Sequence, residues 1–221
     1  MPLVKIREVE KSFGKFNVLK GINLELEKNE QYVIQGASGS GKSTLLYLIG
    51  GLDGPSKGEI IVNNNELSSF KDEELANYRN KFVGFVFQFH FLLPSMNCLK
   101  NILLPSKIGG IGSPSVEKRV KELADYLGVE HCLAKNPFEL SGGEQQRINI
   151  IRALSLKPKL ILCDEPTGSL DSENSKKVIG LLRGLSKEFE STLVLVTHNE
   201  GIASEFSQVI KIHDGFIKNE S

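Results

Sequence analysis

Residues 36–44 read Gly36-Ala37-Ser38-Gly39-Ser40-Gly41-Lys42-Ser43-Thr44, and no other stretch limits so tightly what this chain can fold into. The run fits G-x-x-x-x-G-K-[S/T], in which a glycine-rich turn wraps phosphates with backbone N–H groups while a lysine neutralises their charge. Glycines remove the Cβ atoms that would hold the backbone away from an anion, and the following helix aims its free amides and positive dipole end at the same point. Such a loop has to sit between a strand and a helix. Its flanks comply, with Gln31-Tyr32-Val33-Ile34 a short apolar, β-favouring run and Thr44-Leu45-Leu46-Tyr47-Leu48-Ile49 a helix candidate. In this pattern Lys42 reaches the β- and γ-phosphates of a nucleotide, and the Ser43 hydroxyl sits on Mg²⁺.

A chain of 221 residues can bury a sizeable core as one domain, or as a core with a small subdomain. Its 27 basic and 27 acidic residues balance, which leaves no electrostatic footprint for nucleic acid or an anionic membrane surface. Cys98, Cys132 and Cys163 are odd in number and far apart. They predict neither a disulfide framework nor a zinc site, but small core residues in a reducing compartment. No stretch reads as a signal peptide or is apolar for long enough to cross a bilayer. Any membrane spans are therefore expected from another chain.

Alternation of Val4, Ile6 and Val9, and of Ile22, Leu24 and Leu26, predicts half-buried antiparallel strands. Phe13, Phe16 and Val18 lie between them and read equally well as core or as a stacking surface for an adenine ring. Beyond the first helix, Glu59-Ile60-Ile61-Val62 and the Asn63-Asn64-Asn65 cluster predict a hairpin. A polar, helical stretch over 70–81 leads into the buried strand Phe82-Val83-Gly84-Phe85-Val86-Phe87, which ends at Gln88. Phe89-His90-Phe91-Leu92-Leu93-Pro94 follows, either a packing seam or a docking surface. A turn-rich linker over 109–115 and a helix carrying Val116, Val120, Leu123, Ala124 and Leu127 complete what reads as a helical subdomain.

Leu140-Ser141-Gly142-Gly143-Glu144 opens a long helix, and its serine and two glycines repeat the anion-binding logic of residues 36–44 without the lysine. Leu160-Ile161-Leu162-Cys163 is an apolar strand ending in Asp164 and Glu165. Neighbouring strand residues point to opposite sides, so the two carboxylates are expected to divide labour: Asp164 in a metal shell, Glu165 on an attacking water. Asp171 or Ser172 is expected to cap the next helix. The strand from Thr192 delivers His198 to its carboxyl end, where open α/β sheets place ligands. His90, His131 and His213 read as surface or packing residues. Val209-Ile210-Lys211-Ile212, Asp214-Gly215 and Phe216-Ile217 predict a closing hairpin.

Taken in order, residues 36–44, Gln88, Leu140-Ser141-Gly142-Gly143-Glu144-Gln145-Gln146-Arg147, the strand ending in Asp164-Glu165, Ser169-Leu170-Asp171 and His198 resemble the motif set of ATP-binding-cassette ATPases. The resemblance spans nearly the whole chain. It implies an α/β phosphate-loop NTPase core with an antiparallel β subdomain and an inserted helical subdomain. Residues 1–88 and 157–221 would form the ATP-binding core, and 89–156 the helical part. It further implies an ATP-dependent homodimer in which Gly36, Ala37, Ser38, Gly39, Ser40, Gly41, Lys42, Ser43 and Thr44 of one copy and Ser141, Gly142 and Gly143 of the other enclose each nucleotide. Phe13 would stack on adenine with Val18 beside it. Ser43, Gln88 and Asp164 would surround Mg²⁺, Glu165 would polarise water, and His198 would contact the γ-phosphate.

Within that family, Gln88-Phe89-His90-Phe91-Leu92-Leu93-Pro94 and Glu139-Leu140-Ser141-Gly142-Gly143-Glu144 are similar to the ATPases of bacterial lipoprotein-releasing transporters. Phe91, Lys100 and Ile151 depart from the histidine, glutamate and alanine usual there. This likeness implies a peripheral protein on the cytoplasmic face of the inner membrane. Integral membrane subunits would dock on it near Phe89 to Pro94. The alternative from a neighbouring subgroup is an ATP-driven regulatory scaffold of a cell-division or mechanotransmission complex.

Overall fold

The alternating N-terminal residues form two long strands, β1 (Pro2–Phe13) and β2 (Phe16–Glu27), paired antiparallel with Val4 opposite Leu26 and Ile6 opposite Leu24. These features come from a computed structural model that describes residues 1–112, 114–168, 170 and 172–218. Ser113 of the linker, Ser169 and Asp171 lie outside the described residues, as does the side chain of Ser172, so neither proposed cap is described. β1 pairs on its other edge with β4 (Lys57–Val62). With β5 (Asn65–Glu66) this makes a four-stranded antiparallel sheet in the order β2-β1-β4-β5. The β4–β5 turn falls on Asn63 and Asn64, at φ 47° and 67°. Two left-handed residues are what a two-residue hairpin needs, and asparagine tolerates that conformation well.

The second sheet contains β3 (Gln31–Gln35), β6 (Val83–Val86), β7 (Leu160–Asp164), β8 (Thr192–Thr197), β9 (Gln208–His213) and β10 (Phe216–Lys218). Its order is β10-β9-β3-β8-β7-β6, parallel throughout except for the β10 hairpin on one edge. Helices connect the strands: α1 (Lys42–Ile49), α2 (Asp72–Asn77), α3 (Cys98–Ile108), α4 (Pro114–Tyr126), α5 (Gly142–Leu154), α6 (Ser172–Glu188) and α7 (Glu200–Ala203). The helix expected over 70–81 is shorter than its polar run. It gives way at Tyr78 to a π-helical turn, where the Tyr78 hydroxyl donates to the Ile49 carbonyl at 2.7 Å and the ring stacks on Phe82.

Parallel strands covered on both faces read as continuous apolar runs, and the two-residue side-chain period decides where each residue goes. Val33, Ile161, Cys163, Leu193 and Leu195 join a cluster completed by α3, α4, α5 and α6. Ile34, Leu160, Leu162, Val194 and Val196 join the other, in which α1 is packed with the inner residues of β1 and β2. α1 is therefore clamped by apolar residues of both sheets, which fixes the loop that precedes it. Cys98, Cys132 and Cys163 are free and buried, as small core residues should be.

Candidate active site

β3, β8, β7 and β6 lie side by side and run the same way, so their carboxyl ends share one edge. β3 runs into residues 36–41 and then α1. β8 leads to His198, β7 ends in Asp164 with Glu165 next, and β6 is followed by Gln88. Motifs scattered over the chain are thereby gathered at the edge where parallel sheets bind ligands.

The loop is possible only with glycine at its tight points. A Cβ on Gly36 would come within 2.2 Å of the Ile212 carbonyl oxygen and 2.7 Å of Ser40 Oγ. Gly41 sits at φ 103°, and a Cβ there would lie 2.7 Å from Leu19 and 3.1 Å from the Val18 carbonyl. Ala37, Ser38 and Gly39 are exposed, Thr44 is half-buried, and Lys42 is buried with its ammonium donating to the Ala37 carbonyl at 2.8 Å. Ser40 Oγ is buried and has no hydrogen-bond partner among the described residues. A buried cation, an orphaned hydroxyl and the free amides of the α1 N-terminus fit a polyphosphate.

Phe13 and Phe16 are not core residues: 51% and 79% exposed, they stand at the tip of the β1–β2 hairpin. Lys11 covers one face of the Phe13 ring at 4.9 Å, and is itself held by Asp53 at 2.7 Å and by the Gly54 carbonyl. Val18, half-buried, lies against Gly41.

Asp164 and Glu165 take separate partners, as expected, although β7 ends at Asp164 and a left-handed turn at Glu165, rather than strand alternation, separates them. Ser43 donates its hydroxyl to Asp164 Oδ1 at 2.8 Å, and Tyr47 donates to Oδ2 at 2.7 Å. Burial, then the Asp164 carboxylate, pushes the Tyr47 hydroxyl above its ordinary value, so it remains a donor at neutral pH. Glu165 adopts φ 45° with its N–H on the Val196 carbonyl. A left-handed glutamate costs about 1 kcal/mol or more, which the surrounding strands sustain. Its Oε1 lies 2.8 Å from His198 Nδ1, and its Oε2 accepts from the Thr197 hydroxyl at 3.2 Å. Of the three residues expected around Mg²⁺, Ser43 and Asp164 are in direct contact. Gln88 is exposed and lies over Gly168, in the loop after Glu165. These oxygen donors suit a hard cation such as Mg²⁺.

Ser141 caps α5: its hydroxyl faces the Glu144 N–H while the Glu144 carboxylate accepts from the Ser141 N–H at 2.8 Å and from its hydroxyl at 2.6 Å. Those bonds from Ser141, aided by His131, hold the Glu144 carboxyl down at about 2. Gly142 and Gly143 present an open face, since a Cβ on Gly142 would meet nothing within 4 Å and one on Gly143 only Leu170 and Arg147 in ordinary contact.

His90 and His131 have more company than the sequence suggested. His90 Nε2 lies 3.1 Å from the Gly142 carbonyl, its imidazole held below the ordinary value by burial and by Arg152; His131 Nε2 lies 3.1 Å from Glu144. The underside of α5 also carries contacts that sequence reasoning missed. Gln146 donates to the Pro166 carbonyl at 2.7 Å, Asn149 to the Phe87 carbonyl at 3.2 Å, and Arg152 to the His90 and Phe91 carbonyls at 2.7 and 2.8 Å. Polar residues at 146, 149 and 152, spaced by three and falling in line with the apolar Ile148, Ile151 and Leu154, were the available signal. Through them the Ser141 helix is latched both to the Gln88 segment and to the loop after Glu165.

A sequence model of the ABC transporter family matches residues 19–168, a span that includes the phosphate loop, the α5 N-terminus and the Asp164-Glu165 pair. The chain belongs to the ABC transporter family. Among similar curated proteins are two described as the lipoprotein-releasing system ATP-binding protein LolD. That of Saccharophagus degradans is 40% identical, covering 99% of this chain and 98% of its own length. That of Bacteroides thetaiotaomicron is 42% identical, covering 99% and 100%. The solved dimeric structure of MJ0796, described as a bacterial ABC transporter cassette, superposes with a TM-score of 0.91 at 38% identity, covering 99% of this chain and 97% of that one. The same cassette in a post-hydrolysis dimer bound to ADP and Pi gives 0.90 at 38% identity over the same shares. The two-sheet α/β fold is thus that of an ABC ATPase cassette, and the chain is an ATP-binding ATPase of this family.

Proposed function

We propose that this ABC ATPase works as one half of an ATP-bridged pair that powers membrane subunits releasing lipoproteins from the inner membrane. What supports the site assignment is the gathering of four strand ends, with Ser43 on Asp164 and His198 on Glu165. In this reading residues 36–44 hold the phosphates and Phe13, with Val18 beside it, stacks on adenine. Ser43, Asp164 and Gln88 would hold Mg²⁺, which when bound supplies positive charge to the phosphate oxygens. Glu165, oriented by Thr197 and His198, positions the attacking water and receives its proton. His198 is bonded through Nδ1, which leaves its other ring nitrogen for the γ-phosphate.

Residues 1–88 and 157–221 act as the ATP-binding core, and 89–156 as the arm that carries Ser141, Gly142 and Gly143 to the nucleotide of the second copy. The open face of the two glycines supports that arrangement, as does the dimeric form of the similar cassette. Among the described residues no helix is long and apolar enough to cross a membrane, so the spans come from partners. A groove of about 490 Å³ lined by Phe85, Phe87, Phe91, Leu104, Pro105 and Ile108 suits an apolar helix from such a partner, and the reading puts the cassette on the cytoplasmic face. Phe91, 64% exposed, is part of that lining, and Phe89, 69% exposed, lies edge-on to Phe91 at 6.3 Å. The lipoprotein assignment draws on the LolD relatives. Affinity purification with the native membrane subunits tests it: a partner with a large periplasmic lipoprotein-handling domain supports release, and a peptidoglycan-hydrolase regulator overturns it.

A further inference from the structure

Tyr47 belongs to none of the ATPase motifs, yet it makes one of the shortest polar contacts at the site. Ser43 and Tyr47 stand four residues apart on α1, so both hydroxyls leave the same face of the helix. They take opposite oxygens of one carboxylate, at 2.8 and 2.7 Å, and that carboxylate belongs to a residue only 6% exposed. The Tyr47 ring is seated as firmly as its hydroxyl. It lies 6.5 Å from Phe85 and 6.4 Å from Phe87, whose rings stack on each other at 4.9 Å and 5°. Phe91 meets Phe87 edge-on at 5.3 Å. Phe85, Phe87 and Phe91 also line the apolar groove. One continuous aromatic stack therefore runs from the groove to the Asp164 carboxylate.

We propose that Tyr47 is a positioning residue: its hydroxyl fixes the Asp164 carboxylate for Mg²⁺, and its ring ties that orientation to the aromatic floor of the docking groove. The inference rests on the assignment of Ser43 and Asp164 to Mg²⁺. An aspartate χ2 torsion is broad, so a carboxylate held by a single hydroxyl is free to rock. Held on both oxygens, it meets the cation without reorganising. Phenylalanine at this position keeps the ring and its packing but removes the donor. The loss should then fall on metal-assisted binding and spare the phosphate loop.

The test uses the full chain carrying Glu165→Gln, so that nucleotide is not consumed, and measures by calorimetry the gain in ATP affinity when EDTA is replaced by Mg²⁺. Tyr47→Phe should cut that gain by about tenfold, the usual size of a loss behind a metal ligand, with affinity in EDTA unchanged within about twofold. Phe87→Leu should reduce the gain in the same direction by a smaller factor, and no reduction there overturns the tie to the groove. Asp164→Asn is the control. If it removes the gain while Tyr47→Phe leaves it intact, the positioning role is wrong and the Mg²⁺ assignment stands. If Asp164→Asn also leaves the gain intact, the Mg²⁺ assignment falls and takes the inference with it. Equal weakening of ATP binding in EDTA by Tyr47→Phe would make Tyr47 a packing residue and overturn the proposal.

Discussion

His198 Nδ1 lies 2.8 Å from Glu165 Oε1, so the side chains just beyond two neighbouring parallel strands are joined across the end of the sheet. With Thr197 on the other oxygen and the backbone turned to φ 45°, Glu165 has its carboxylate aimed before any substrate arrives. A base that is positioned by a partner is expected to fail together with that partner.

Glu165→Gln should therefore still bind ATP and dimerise, while phosphate release in a single turnover slows by about 10²-fold or more. His198→Ala should also slow turnover. The double variant should lose no more than Glu165→Gln alone, because residues that act as a unit are not additive. Normal hydrolysis by Glu165→Gln would remove Glu165 from the role of base.

Much of this was written in the sequence. The phosphate loop imposes strand, turn and helix through its glycines, and the buried strands are evident as apolar runs because both of their faces are covered. Asn63-Asn64 and Asp214-Gly215 announce their hairpins through residues that accept positive φ. The Glu165–His198 and Tyr47–Asp164 contacts were not legible. Each depends on which strands become neighbours, and the order β3-β8-β7-β6 is set by crossovers that local pattern does not encode. The His90 contact was not legible for the same reason, since its partner Gly142 is distant in sequence and arrives only when α5 folds over the Gln88 segment.

Ser141 caps α5, and under the proposed function it also meets the nucleotide of the second copy, so one substitution tests both. Ser141→Arg removes an N-cap and should cost about 1 kcal/mol of stability, seen as a small fall in the thermal midpoint. Nucleotide binding to the monomer should persist, because residues 36–44 are intact, while ATP-driven dimerisation in sizing experiments and turnover are lost. Loss of monomer binding instead would mean that the two anion loops meet within one chain.

Glu144 gives the fold an acid-sensitive point. Its folded value, lowered from 4.5 to about 2 by the Ser141 hydroxyl and N–H and by His131, lies below the unfolded one. The charged carboxylate therefore stabilises the native state above about 4.5, and that contribution drains away as the pH falls towards 2. Glu144→Gln keeps an acceptor but loses the charge. Urea midpoints should place it below the parent at neutral pH, with the gap closing towards pH 2; a gap independent of pH would put the stabilisation in packing.

Arg152, in the lining of the groove with Phe91, holds residues 90–91 through the carbonyls of His90 and Phe91, and Phe91 keeps φ 46° where that grip ends. A guanidinium that bonds two carbonyls and Asn149 together fixes one geometry that a flexible apolar chain does not. Arg152→Met preserves much of the packing and releases the carbonyls. The isolated cassette should hydrolyse ATP within about threefold of the parent, because none of the residues assigned to ATP or water is touched. Stimulation by the reconstituted membrane subunits should fall by about tenfold, since movement in the groove would no longer be transmitted to α5 and Ser141. Full stimulation of the variant would show that the partner's signal enters by another route, such as the aromatic stack through Phe87 and Tyr47 to Asp164.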